Sequence, residues 1–204
     1  MTTDATAARP WFDTTISADE RLEALLAEMT LAEKAGLLFH TMIGLSDLTE
    51  PNPLISAPSA VELVRGRQLT HFNLVGGADT AREIAAWHNE LQRLARSTRL
   101  GIPVTLSTDP RHSFTDNPGT GMLAGPFSQW PESLALAAIR DEATVELFGD
   151  IARREYLAVG IRVALSPQID LATEPRWSRQ LATFGEDAEL TARLGVAYVR
   201  GFQG

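Results

Sequence analysis

The sequence predicts an α/β protein built on a parallel sheet. Three observations carry that expectation: short apolar runs that end in turn residues, amphipathic helical patterns between those runs, and a length of 204 residues at 44% hydrophobic and 22% charged composition, enough for one domain with a real core. Strand-like runs occur at 69–75, ended by Gly76 and Gly77, at 103–108, ended by Asp109, and at 161–166. A complete eightfold barrel typically needs about 250 residues. Since only three strands are legible, a small open sheet and a barrel cut short both stand at this point.

The elements follow in order. Residues 1–16 are polar and irregular and are set apart from the body of the chain, 17–204. Ser17-Ala-Asp-Glu20 is a capping box ahead of Leu22, Leu25, Leu26 and Met29 at helical spacing. Thr30-Leu-Ala-Glu33 repeats the device before Ala35, Leu37, Leu38 and Phe39, so two short helices abut at Met29 and Thr30. Pro51, Pro53 and Pro58 make 47–59 a loop. After the first strand, Ile84, Trp87, His88, Leu91, Leu94 and Ala95 share one helix face. After the second comes a Gly/Pro-rich loop over 110–131, of a length that is usually functional or unstructured. A helix over 141–160 turns Leu147, Phe148, Ile151 and Ala152 inward and stops at Gly160. Asp187 caps a last helix with Leu190, Leu194, Ala197 and Tyr198 as its apolar stripe.

Composition narrows the function classes. Eighteen Lys and Arg against 26 Asp and Glu leave a net charge of -8, which argues against nucleic acid as a partner. The absence of cysteine removes a disulfide framework, a thiol nucleophile and a thiolate zinc site. Asp4, Asp13 and Asp19 interrupt the first twenty residues, which hold no apolar core of a secretory signal, and no stretch approaches the roughly 18 apolar residues of a membrane span. A cytoplasmic location is the default expectation, with secretion of a processed form left open. No H-x-x-x-H or H-E-x-x-H spacing supports a metal, no glycine-rich phosphate or dinucleotide fingerprint supports a cofactor, and no G-x-S-x-G elbow supports a serine hydrolase. His40, His71 and His88 stand alone in apolar runs and read as hydrogen-bonded core or interface histidines rather than ligands.

Parallel sheets bind ligands at the carboxyl ends of their strands, where Asp109 and the loop after Ser166 both fall. A carboxylate held at a strand end suits paired sugar hydroxyls; the same residue type also serves as a turn aspartate. In Glu174-Pro-Arg-Trp-Ser-Arg179, Arg176 and Arg179 flank Trp177. Guanidinium forks beside an indole suit a sugar ring, offering donors to its oxygens and an apolar face to its C–H side. The competing reading is an ion-paired loop, with the arginines held by Glu174, Glu186 or Asp187. Arg111, His112 and Asp116 are candidates for orienting a ligand or for ordering their own loop.

Taken together and in this order, the segments 21–34, 101–109, 130–138, 166–187 and 197–204 resemble the amino-terminal domain of glycoside hydrolase family 3, which includes β-glucosidases and β-xylosidases. The resemblance implies the amino-terminal portion of a (β/α)8 TIM-type barrel, incomplete over these residues. It implies part of a retaining β-glycosidase acting on terminal β-linked glucosides or related glycosides. In that reading Asp109 binds hydroxyls of the sugar being cleaved and Arg179 lines the same subsite, while Asp170, Arg176 and Trp177 shape the loop, with Arg111 and His112 as further loop support. Where the family commonly has a glutamate three residues after the matching arginine, this chain has Ala182. The nucleophile and the acid/base are expected beyond Gly204, so no catalytic residue is assigned within the chain and the chain alone is expected to be inactive. The implied partners are a small saccharide or β-glycoside and the remainder of the barrel or a complementary chain; the alternative is a non-catalytic carbohydrate-binding or assembly module.

Overall fold

The computed structural model describes residues 9–109, 112–113 and 123–204. Its elements run α1 (Ala18–Glu28), α2 (Leu31–Gly36), β1 (His40–Gly44), β2 (His71–Val75), α3 (Ala81–Arg96), β3 (Thr105–Thr108), α4 (Ser133–Ile139), α5 (Glu142–Ala158), β4 (Ile161–Ala164) and α6 (Ala188–Gln203). The four strands form one parallel sheet in sequential order, so all their carboxyl ends lie on one rim. This is the expected α/β class, an open arc of consecutive staves with β1 and β4 as its edges.

The helix starts follow the sequence closely. Ser17 with Glu20 and Thr30 with Glu33 both form reciprocal capping boxes, as do Thr80 and Glu83 ahead of α3. Met29, at the junction of α1 and α2, is buried against Trp11 and Leu100. Asp141 and Asp187 cap α5 and α6 through their side chains.

The sheet holds one strand more than the sequence suggests, because the helix expected through Phe39 ends at Gly36 and β1 follows at His40. A side-chain carbon on residue 36 would stand 2.3 Å from the Gln68 carbonyl oxygen, so glycine lets the end of α2 run flush against the turn before β2. The chain then joins the β2 ladder, His40 opposite His71 through Gly44 opposite Val75. Leu38 and Phe39 are consequently not a buried helix face; they are 86% and 61% exposed. Leu147 is also exposed, since the inward stripe of α5 is set by Val145, Phe148, Ala152 and Tyr156, about 100° away around the helix. Leu22 likewise faces out from α1. The three expected strands are present but shorter, with 69–70, 103–104 and 165–166 outside the ladders.

Alternation along the strands separates the two faces of the sheet. Phe72, Leu74 and Leu106 are fully buried against Ile84 and Leu91 of α3, together with Ile161 of β4. The other face carries polar groups: His40 Nε2 lies 2.7 Å from Ser107 Oγ, and Ser107 also reaches Asn73 Oδ1 at 3.2 Å. His71 bonds to Thr70 and His88 to Gln92, so all three histidines have hydrogen-bond partners, but His40 is exposed and the other two are half-buried, not core residues. A second core joins α4, α5 and α6 through Leu136, Phe148, Phe184, Leu194 and Tyr198. There α5 and α6 approach through Gly149 and Gly201; a side-chain carbon on residue 201 would come 2.2 Å from the Glu146 carbonyl. Gly201→Ala is therefore expected to destabilise the fold by about 1–3 kcal/mol through overpacking, read as a lower midpoint in urea at unchanged slope.

Candidate functional site

Asp109 directly follows β3, the strand paired on one side with β2 and on the other with β4. It lines a narrow cleft of about 40 Å³ with His112, Glu132, Ser166, Gln168 and Ala182. Half-buried Asp109 therefore sits on the carboxyl rim, and the loop after β4 forms the facing wall.

Between β3 and α4, His112 and Ser128 are tied to one carboxylate from α5. Glu155 accepts a hydrogen bond from His112 Nε2 at 2.8 Å, from the Ser128 backbone N–H at 3.1 Å and from the Ser128 hydroxyl at 3.0 Å. Trp130 donates its indole N–H to Ser128 Oγ, and its backbone N–H to the His112 carbonyl. The His112 ring is buried among Phe127, Phe148 and Tyr156, with centroid separations of 5.3, 6.2 and 4.7 Å. Ser113 donates to Glu132 at 2.6 Å. His112 thus has the loop-ordering environment that was one of its two sequence readings. Arg111 and Asp116 lie outside the described residues.

On the facing wall the two arginines part company. Arg176, 88% exposed, is clamped by Glu174: its Nε and Nη2 donate to the two carboxylate oxygens at 2.8 and 2.9 Å. Its guanidinium holds the Glu174 carboxyl below the usual range. This is the ion-paired arrangement weighed against ligand binding for that residue. Arg179 instead donates to Gln168 Oε1 at 2.8 Å, which places it beside the cleft that Gln168 lines. Trp177 is half-buried between them, and Asp170 is exposed on the same loop. Ala182 adds no polar group to the cleft wall.

The structure therefore brings Asp109 to the same cleft as Gln168 and its partner Arg179, and leaves Arg176 to Glu174. Sequence reasoning missed Glu155, Ser128 and Gln168. Glu155 is one acidic residue on an exposed-looking turn of a helix, and nothing in its spacing points to the distant loop it holds; only Gln168, inside the 166–187 segment, lay near a signal. Among the described residues no cluster of three or more His, Cys, Asp or Glu could hold a metal ion, and no helix is long and apolar enough to cross a membrane.

A sequential parallel sheet with polar groups gathered at the carboxyl rim defines a barrel-type α/β protein with a candidate site for a small polar ligand. Residues 52–204 match the family described as "Glycosyl hydrolase family 3 N terminal domain", and the chain belongs to this glycosidase family. It is 53% identical over 186 residues to beta-glucosidase C of Emericella nidulans, covering 91% of this chain and 30% of that protein. It is 46% identical over 195 residues to a periplasmic beta-glucosidase/beta-xylosidase of Dickeya chrysanthemi, covering 95% of this chain and 30% of that protein. The chain thus spans about 30% of the length of these curated relatives. Among solved structures, a beta-glucosidase from Listeria innocua in complex with isofagomine aligns at TM-score 0.63 and 26% identity, covering 91% of this chain and 23% of that one. A beta-glucoside phosphorylase shares the fold at TM-score 0.73 and 19% identity, over 100% of this chain and 33% of that one.

Two outcomes are expected from this geometry. Glu155→Ala leaves His112 Nε2 and the Ser128 donors without their acceptor, at a cost of about 2–3 kcal/mol, with Glu155→Gln milder; chemical denaturation reads both. Stability also depends on the buried imidazoles. Burial pushes the His112 pKa below its ordinary 6.5, with Glu155 opposing, and burial and then Arg162 push His88 down. The unfolded chain therefore takes up protons at these sites before the folded chain does. Stability is full above about pH 6.5 and falls as pH drops through that value; His112→Gln is expected to flatten part of the slope between pH 7 and 5.

Proposed function

We propose that the chain carries the glycone-binding part of the sugar site of a retaining β-glycosidase acting on terminal β-linked glucosides or related glycosides. The observation that carries this reading is the convergence of Asp109 and the Arg179–Gln168 pair on one rim cleft, in a chain whose relatives are named beta-glucosidases and beta-xylosidases. Asp109 supplies acceptors for vicinal hydroxyls; Arg179 supplies donors for ring or hydroxyl oxygens. Retention needs a nucleophilic carboxylate and an acid/base carboxyl about 5–5.5 Å apart. In this reading both come from outside these residues, and the chain's own groups bind and orient the sugar without cleaving its bond.

The open edges support a complementary part that completes the sheet. Beside β1, Phe39, Met42 and Ile55 border an apolar groove of about 660 Å³. Beyond β4, Ile169, Leu171, Val196 and Val199 border another of about 590 Å³. Parallel sheets are normally covered on both faces, and unpaired edges of this kind invite further strands. The same observation favours the second reading, a binding or assembly module that acts only with a complementary chain.

An activity and binding pair of measurements tests the proposal. The isolated chain is expected to leave an aryl β-glucoside intact and to bind glucose in the millimolar range or more weakly, with Asp109→Asn abolishing what binding there is. Robust turnover by the purified chain would overturn the placement of the reacting carboxylates elsewhere. Saturable micromolar saccharide binding without turnover would favour the binding module.

A further inference from the structure

The inner seams of the sheet are closed twice, by a backbone ladder and by a helix laid across it. Ile84 and Leu91 of α3 share one core with Phe72 of β2 and Leu106 of β3, and Tyr156 of α5 joins Leu106 and Ile161 of β4 in that core. The helix that follows a strand therefore covers that strand and the next, as in other parallel α/β units.

The two outer seams lack opposite parts. α6 follows β4, and its exposed Val196 and Val199 border, with Ile169 and Leu171, an apolar groove of about 590 Å³. Among the described residues no fifth strand lies there. At the other edge β1 has a free ladder side, and Phe39, Met42 and Ile55 border a groove of about 660 Å³ with α2 as one bank. No strand precedes β1 among the described residues, so no crossover helix lies over its outer edge. One edge offers a helix and lacks a strand; the other offers a strand and lacks a helix.

We propose that a second copy of this chain fills both edges, the two copies closing into one eight-stranded parallel barrel. A two-fold rotation about the axis of the arc sets β1 of each copy beside β4 of the other and lays each α6 over the new seam. A head-to-tail contact of this kind either closes or grows without limit. Two arcs of four strands close at eight, the size whose interior side chains fill without leaving a channel. The rotation keeps strand direction, so both Asp109 clefts open on the same rim. This assembly builds on the reading that the open edges take a complementary part. A chain that stays monomeric yet binds glucose through Asp109 would overturn the assembly and leave the sugar site standing.

The first readout is mass by sedimentation of the 204-residue chain in about 0.15 M salt, where the net charge of -8 on each copy is screened beyond about 8 Å. At about 10 μM chain a dimer is expected to predominate, with a Kd of about 1 μM or tighter. Phe39→Glu and Val196→Glu put a charge into opposite sides of the seam and are each expected to weaken the dimer at least about tenfold. Leu147→Glu, on an exposed part of α5 outside both grooves, is expected to leave it unchanged. The chain has no cysteine of its own, so introduced thiols report single positions. A mixture of Thr41→Cys and Val163→Cys chains is expected to give a mixed dimer with a short bis-maleimide, and neither chain alone is expected to cross-link. A monodisperse monomer, assemblies larger than a dimer, cross-linking of Thr41→Cys to itself, or indifference to both charged substitutions would each overturn the proposal.

Discussion

Strand β3 is hydrogen-bonded on both sides, to β2 and to β4, and its last residue hands the chain to Asp109. The position of that carboxylate is thus inherited from two parallel ladders at once. Parallel pairing also forces the loop after β4 onto the same rim, because neighbouring strands point the same way. The meeting of Asp109 with Gln168 and Arg179 follows from strand direction, although 59 residues of sequence separate Asp109 from Gln168. Without the fully buried contacts of Phe72, Leu74 and Leu106 against α3, neither ladder would have a face to rest on.

The rim loop depends on a different kind of force. Glu155 satisfies an imidazole, a backbone N–H and a hydroxyl with one carboxylate, and a charged acceptor serving several donors is stronger than neutral pairs. Its location on α5 couples the loop to the helix layer, where Phe148 and Tyr156 also hold the His112 ring. The sheet places Asp109; the helix layer holds His112 and Ser128. By contrast the edges of the sheet have no strand partners among the described residues, and apolar grooves lie beside β1 and along α6.

Much of this architecture was legible because its signals are local. Capping boxes at Ser17 and Thr30 act within one turn of chain, so reading them needs no tertiary information. The stripe of α6 was equally legible, since Leu190, Leu194, Ala197 and Tyr198 all point into one core. β1 was not, because Leu37-Leu-Phe39 continues a helical apolar pattern and the interruption comes from the Gln68 carbonyl, a group 32 residues away from Gly36. In the candidate site, residue types at 109 and 176–179 advertised polar recognition, yet two neighbouring arginines with the same apparent prospects have different partners. Glu174 lies two residues before Arg176 and claims it, while Arg179 reaches across the loop to Gln168.

By itself the sequence determined the α/β class, the starts of α1, α2, α5 and α6, the acidic charge that disfavours nucleic acid and the family resemblance, since each rests on composition, short-range spacing or residue identity. Only the tertiary structure decided that β1 is a strand, that Glu155 holds His112 and Ser128, and that Arg176 is engaged while Arg179 flanks the cleft. These are all encounters between groups far apart in the chain. Their outcome depends on which atoms the packed sheet and helices bring within a few ångströms, which no local pattern encodes.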